Sequence, residues 1–132
     1  MSKVEGHHHP TTMSKVERFE DLRVWAEARA LANALYDATG ELRDFAFRDQ
    51  LRRAAVSVMN NIAEGLERRT DADFAHFLDM AKGSSGEARS MTYLGEDRRY
   101  FATDTAIRLR AAAESLSGGL STFATYLRRP RP

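Results

Sequence analysis

An all-α fold, an antiparallel up-and-down four-helix bundle, is predicted by three features of the 132-residue sequence. Four long segments repeat apolar residues at steps of three and four, the spacing that gathers them on one face of a helix. Prolines stay out of those segments, at Pro10, Pro130 and Pro132. No stretch alternates apolar and polar residues as a half-buried strand would. Short connections between the segments make sequential neighbours antiparallel.

The first helix is expected over residues 20–39, with Phe19 at its entrance and Gly40 as a left-handed stop. Leu22, Trp25, Ala28 or Arg29, Ala32, Leu35 or Tyr36 and Thr39 make its inward face, with Trp25 as a core or interface anchor. The second starts between Asp44 and Phe47 and reaches Arg69, turning Phe47, Leu51, Ala54 or Ala55, Val58, Ile62 and Gly65 or Leu66 inward. Thr70 or Asp71 caps the third helix, and Asp73 in its first turn suits the helix dipole.

The third helix is expected over residues 71–99, with Phe74, Phe77 or Leu78, Ala81, Ser84 or Ser85, Ala88, Met91 and Leu94 or Gly95 inward. Gly83-Ser84-Ser85-Gly86 alone would read as a turn, but the apolar period resumes in phase beyond it, so the helix runs on. An interior glycine lowers helix stability by about 1 kcal/mol relative to alanine, a loss that close packing is expected to return. The fourth helix starts at Thr103 or Asp104 and ends near Leu127, with Leu109, Ala113, Leu116, Leu120, Phe123 and Leu127 in a seam suited to knobs-into-holes packing. Gly118 and Gly119 mark a bend or a close crossing.

The chain has the length of one domain, placed at residues 13–127, with 128–132 a frayed tail. Met1-Ser2-Lys3-Val4-Glu5 recurs as Met13-Ser14-Lys15-Val16-Glu17, so residues 1–12 read as a redundant leader or cloning remnant. His7, His8 and His9 in it bind metal only as any histidine tract does. Cysteine is absent, which excludes disulfides and thiolate chemistry and suits the cytoplasm. No stretch approaches the roughly 20 apolar residues of a membrane span, and no membrane partner is expected. Twenty basic and nineteen acidic residues leave a net charge of +1, too little for long-range attraction to phosphate polymers.

Residues 52–69 hold the most informative pattern, an apolar stripe crossed by Asn60, Asn61, Glu64 and Gly65. Asn61 and Glu64 are three apart and Glu64 and Arg68 four apart, so they share a side of the second helix; Ser84, Ser85 and Glu87 on the third can meet them. The expected result is a polar network in a dry seam that fixes helix register or joins subunits. Acid–base catalysis by the two glutamates is set aside, because no histidine, lysine or metal ligand accompanies them. His76 has only Asp73 and Asp79 near it in sequence and reads as a surface residue; Ser57, Ser84 and Ser85 lack a histidine base. Gly83-x-x-Gly86 lacks the lysine of a phosphate loop. No catalytic residue, metal site or cofactor is expected.

Arginine pairs Arg52-Arg53, Arg68-Arg69, Arg98-Arg99 and Arg128-Arg129 fall near helix ends or loops. Assembled around a rim they would focus positive potential and contact RNA or DNA; alone they read as solvated or ion-paired surface. Trp25, Phe45, Phe47, Tyr93, Phe101 and Phe123 exceed what one small bundle hides, which points to a homo-oligomer.

The chain resembles the bacterial 23S ribosomal RNA intervening-sequence proteins. The resemblance rests on Phe19-Glu20-Asp21-Leu22 with Val24-Trp25 and Ala28, on the run from Gln50 to Val58, on Asn61-Ile62-Ala63-Glu64-Gly65, and on Phe74, Phe77-Leu78 and the run from Ala81 to Glu87. It implies a left-handed antiparallel bundle assembled as a homopentamer, with no catalytic residues to carry over. The family motif falls here on Arg53, Asn61, Glu64, Gly65, Ser84 and Glu87, assigned to assembly and internal polar pairing. A more distantly similar group, the accessory proteins of diversity-generating retroelements, uses a basic ring to contact nucleic acid and a reverse transcriptase; the near-zero charge here departs from that pattern. The function expected is a non-enzymatic oligomeric scaffold or interaction module, with a nucleic-acid-binding accessory protein as the alternative.

Overall fold

In the computed structural model, residues 18–130 are described. The leader at 1–12 and residues 131–132 of the tail lie outside them. A single 3-10 turn, Phe19–Asp21, leads into four helices: α1 (Arg23–Ala38), α2 (Phe45–Leu66), α3 (Asp71–Asp97) and α4 (Thr103–Arg128). Each packs on its neighbours in the order α1, α2, α3, α4 and back to α1, an up-and-down square.

The inward faces follow the apolar periodicity. Leu35, Leu51, Ile62, Leu78, Leu116 and Leu120 are completely or almost completely buried, each contributing about 1.5–3 kcal/mol by leaving water. Where two candidates stood side by side, Ala28, Leu35, Leu78, Ser85 and Gly95 are the buried ones, and Arg29, Tyr36 and Leu94 face outward. Met91 and Phe123 are half-buried at the edge of the core, and Trp25 packs there against the Phe19 ring with centroids 5.1 Å apart.

Helix ends differ from expectation in several places, beginning with α1, which starts at Arg23 and not at Glu20 because Phe19–Asp21 form the 3-10 turn. Gly40 is not the left-handed stop; no glycine among the described residues has positive φ. Instead the buried Thr39 closes α1 by donating its hydroxyl to the Leu35 carbonyl at 2.8 Å. The left-handed position belongs to Arg99, φ 62°, after α3. Its N–H donates to the Glu96 carbonyl and the Tyr100 N–H to that of Gly95, the paired bonds that end a helix by reversing the chain. A side chain there is strained by about 1–2 kcal/mol relative to glycine. α2 stops at Leu66, three residues before the expected end, because Thr70 caps α3 by accepting from the Asp73 N–H at 3.1 Å and the chain must turn first.

α3 runs unbroken through Gly83-Ser84-Ser85-Gly86. The expected return in close packing comes from the serines; a Cβ on Gly83, Gly86 or Gly118 would meet nothing within 4 Å. Gly119 comes closest to a crossing, where an added Cβ would lie 3.4 Å from Val24 Cγ1, and α4 does not break. Arg128, expected in the frayed tail, is the last helical residue of α4, held by Asp79 through bonds of 2.6 and 3.3 Å.

Candidate functional site

The polar residues of α2 and α3 divide into separate groups. Ser57 joins the helices: its hydroxyl shares a 2.9 Å bond with that of Ser84 and accepts from the Asn61 amide at 3.0 Å. That amide also donates to the Ser57 carbonyl at 2.9 Å. This chain is half-buried. Glu64 and Glu87, expected beside it in a dry seam, stand in solvent instead: Glu64 accepts from Arg68 at 3.5 Å and Glu87 from Gln50 at 3.3 Å. Asn61 turns back along its own helix, so its amide serves Ser57 and leaves the glutamates outside. Arg53 is exposed, and its side chain makes no hydrogen bond or ion pair among the described residues. Gly65 is buried, and a Cβ on it would lie 2.8 Å from Phe74 Cδ1.

A second polar group lies deeper. Ser85 is fully buried; its hydroxyl donates to the Ala113 carbonyl at 3.0 Å and accepts from Ser117 at 2.9 Å. These bonds tie α3 to α4 in one register, as Ser57–Ser84 ties α2 to α3. The hint of Ser85 was its inward phase; Ser117 gave none, since its partner comes from packing alone.

The arginines split between tasks. Arg52 is not free for a phosphate: its guanidinium donates to the Thr39 hydroxyl at 3.0 Å and the Tyr36 carbonyl at 3.4 Å, and stacks 4.3 Å above the Tyr36 ring. It thereby holds the C-terminal end of α1 to α2. Arg68 pairs with Glu64 and lies 5.1 Å over Phe77, and Arg128 grips Asp79. The side chains of Arg69, Arg98, Arg99 and Arg129 make no hydrogen bond or ion pair among the described residues. Topology puts Arg69 and Arg129 at one end of the bundle and Arg98 and Arg99 at the other.

Several grooves open on the outside, and two of them lie on opposite sides of the bundle. One, about 710 Å³, lies between α1 and α2, lined by Tyr36, Asp49, Arg52, Arg53, Val56 and Asn60. The other, about 260 Å³, lies between α3 and α4, lined by Arg89, Tyr93, Ile107, Arg110 and Glu114. In it the Arg110 guanidinium sits 4.0 Å over the Tyr93 ring and donates to Glu96 at 2.9 Å, leaving Nη1 buried without a partner. Tyr93 is nevertheless 56% exposed and Ile107 53%. Among the described residues, no group of three histidine, cysteine, aspartate or glutamate side chains is placed to hold a metal, and no helix is long and apolar enough to cross a membrane.

A family model described as 23S rRNA-intervening sequence protein matches residues 20–122. The chain belongs to that family. The match takes in α1, α2, α3 and most of α4, with all six motif positions from Arg53 to Glu87, and stops before Arg128-Arg129. The fold is similar to the crystal structure of a protein of unknown function from the S23 ribosomal protein family of Bacteroides thetaiotaomicron VPI-5482, with a TM-score of 0.71 and 18% identity over 80% of this chain and 99% of that one. At that identity the likeness concerns the fold. None of the curated proteins matches this chain.

Two carboxylates in this family member respond to acid in the same sense. The Arg128 guanidinium holds Asp79 below its ordinary value, and the Tyr100 hydroxyl, at 2.6 Å, does so for Asp44, which also caps α2 through the Phe47 N–H. A carboxylate depressed in the folded state adds stability above its unfolded pKa and loses it as pH falls through the folded one. Thermal stability is therefore expected to drop below about pH 4. Asp79→Asn and Asp44→Asn should each flatten the fall; a melting series from pH 6 to 2.5 with identical slopes for wild type and both variants would contradict this assignment. Both sites are well exposed, so each effect is modest.

Proposed function

We propose that this protein is a cytoplasmic, non-enzymatic scaffold, a homo-oligomer of identical bundles that holds partners rather than transforming them. The five-subunit ring implied by the family resemblance is the form adopted. One observation carries the reading: the exposed large apolar residues are segregated. Among the described residues, Tyr36, Phe45, Tyr93, Leu94 and Ile107 all lie in the half of the bundle that holds the α1–α2 and α3–α4 connections, and Met80 alone lies in the other half. Such a concentration of aromatic and aliphatic side chains, with arginines stacked on Tyr36, Phe45 and Tyr93, has the composition of an interface core.

The nucleic-acid accessory reading has the unpaired Arg69, Arg98, Arg99 and Arg129 in its favour. Their division between opposite ends, beside a net charge of +1, gives a single bundle no continuous positive surface, so the scaffold reading is preferred. Sedimentation velocity across micromolar concentrations tests it. A discrete species several times the 14.9 kDa chain mass is expected; a 14.9 kDa particle throughout would overturn it.

A further inference from the structure

We propose that copies of this chain join head to tail, the outer α3–α4 side of one bundle seating in the α1–α2 groove of the next. This rests on the self-assembly reading above and identifies the surfaces that carry it. Because the helices neighbour one another in the order α1, α2, α3, α4, the two grooves lie on opposite sides of the molecule.

They also lie at the same height. Arg53 sits on α2 between Gln50, which bonds Glu87, and Ser57, which bonds Ser84. Glu114 follows Ala113, whose carbonyl accepts from Ser85. Both charges therefore stand level with residues 84–87 of α3, one on each side of the bundle. A contact between surfaces at one height adds little rise per copy, which a closed ring requires, and the inclination between the two surfaces then sets whether and at what number the ring closes.

The surfaces match in chemistry. Arg53 and Glu114 are exposed, opposite in sign and without an ion pair among the described residues. Arg89, two residues beyond Glu87, is level with Gln50 and so with the adjacent Asp49 of the other groove, a second charge of opposite sign, although Asp49 already pairs with Arg48 at 2.9 Å. Tyr93 and Ile107 project from one side, nearer the α3–α4 connection than these charges, and the exposed Phe45, one turn before Asp49 on α2, stands near their height on the other. Arg110, fixed by Glu96 and stacked on Tyr93, holds that ring as a preformed contact. The other candidate occupant of the α3–α4 side is the same side of a second copy, which would leave Arg53 without a role.

The test uses the full chain, with molar mass from light scattering over a dilution series and circular dichroism as the control for folding. Glu114→Arg and Arg53→Glu should each weaken association about tenfold by setting like charges together, and the double variant should recover most of that loss. Ile107→Glu should disperse the particle with helix content unchanged. If wild type assembles but Arg53→Glu has no effect, the head-to-tail contact is wrong and self-assembly stands. If wild type is a monomer, both readings fall.

Discussion

Phe74→Ala is expected to remove about 3–5 kcal/mol of folding stability. Phe74 lies in the first turn of α3, 2% exposed, where three helix ends meet. Its ring occupies the space a side chain on Gly65 of α2 would need and meets the Phe123 ring of α4 edge-on, with centroids 5.1 Å apart. Truncation leaves a cavity that cannot close from either side, since Gly65 has no side chain to move in and Phe123 is anchored at the core's edge. Most domains are stable by only about 5–15 kcal/mol, so a large share would go. Urea unfolding at matched protein concentration measures it; a loss below about 1 kcal/mol would mean that this end is not packed around Phe74.

Gly95→Val is expected to cost about 1–3 kcal/mol or more through overpacking. A Cβ at Gly95 would collide with the Phe101 ring and lie 3.2 Å from Phe47 Cζ. Both rings are buried, and the backbone cannot give way because the Gly95 carbonyl accepts from the Tyr100 N–H at 2.8 Å in the reversal that ends α3. The same helix contains its own control. Gly83 is helical with open space around it, so Gly83→Ala should stabilise a single bundle by up to about 1 kcal/mol. Opposite signs in chemical denaturation are the expected result; destabilisation by both would show that the Gly83 surface is covered in the assembled protein.

The fold was largely legible because period and phase are local properties. Leu51, Val58 and Ile62 had to share a face whatever packed against it, and the phase carried across Gly83–Gly86 showed that α3 continues. Helix ends were less legible, since they are settled by tertiary partners: Thr39 and Arg52 close α1 where Gly40 was the natural stop, and Asp79 keeps Arg128 helical. The polar residues were half legible. Spacing put Asn61 near Glu64, but spacing cannot say which side of the stripe faces a neighbour, and Ser57 took the inner place while Glu64 and Glu87 went to water. Ser117 became significant only through Ser85. The arginine pairs were visible as pairs; which members were already committed to Tyr36, Phe77 or Asp79 depended on helices distant in sequence.

In the proposed scaffold a single bundle is an incomplete unit, its apolar half covered in the working particle. Hydroxyl-radical footprinting of the native full chain, normalised residue by residue to the unfolded chain, tests it most directly. Tyr93 and Ile107, both more than half exposed in one bundle, should be strongly protected, while Met80, 40% exposed in the opposite half, should stay reactive. Tyr93 and Ile107 as reactive as their exposure in a lone bundle implies would contradict it.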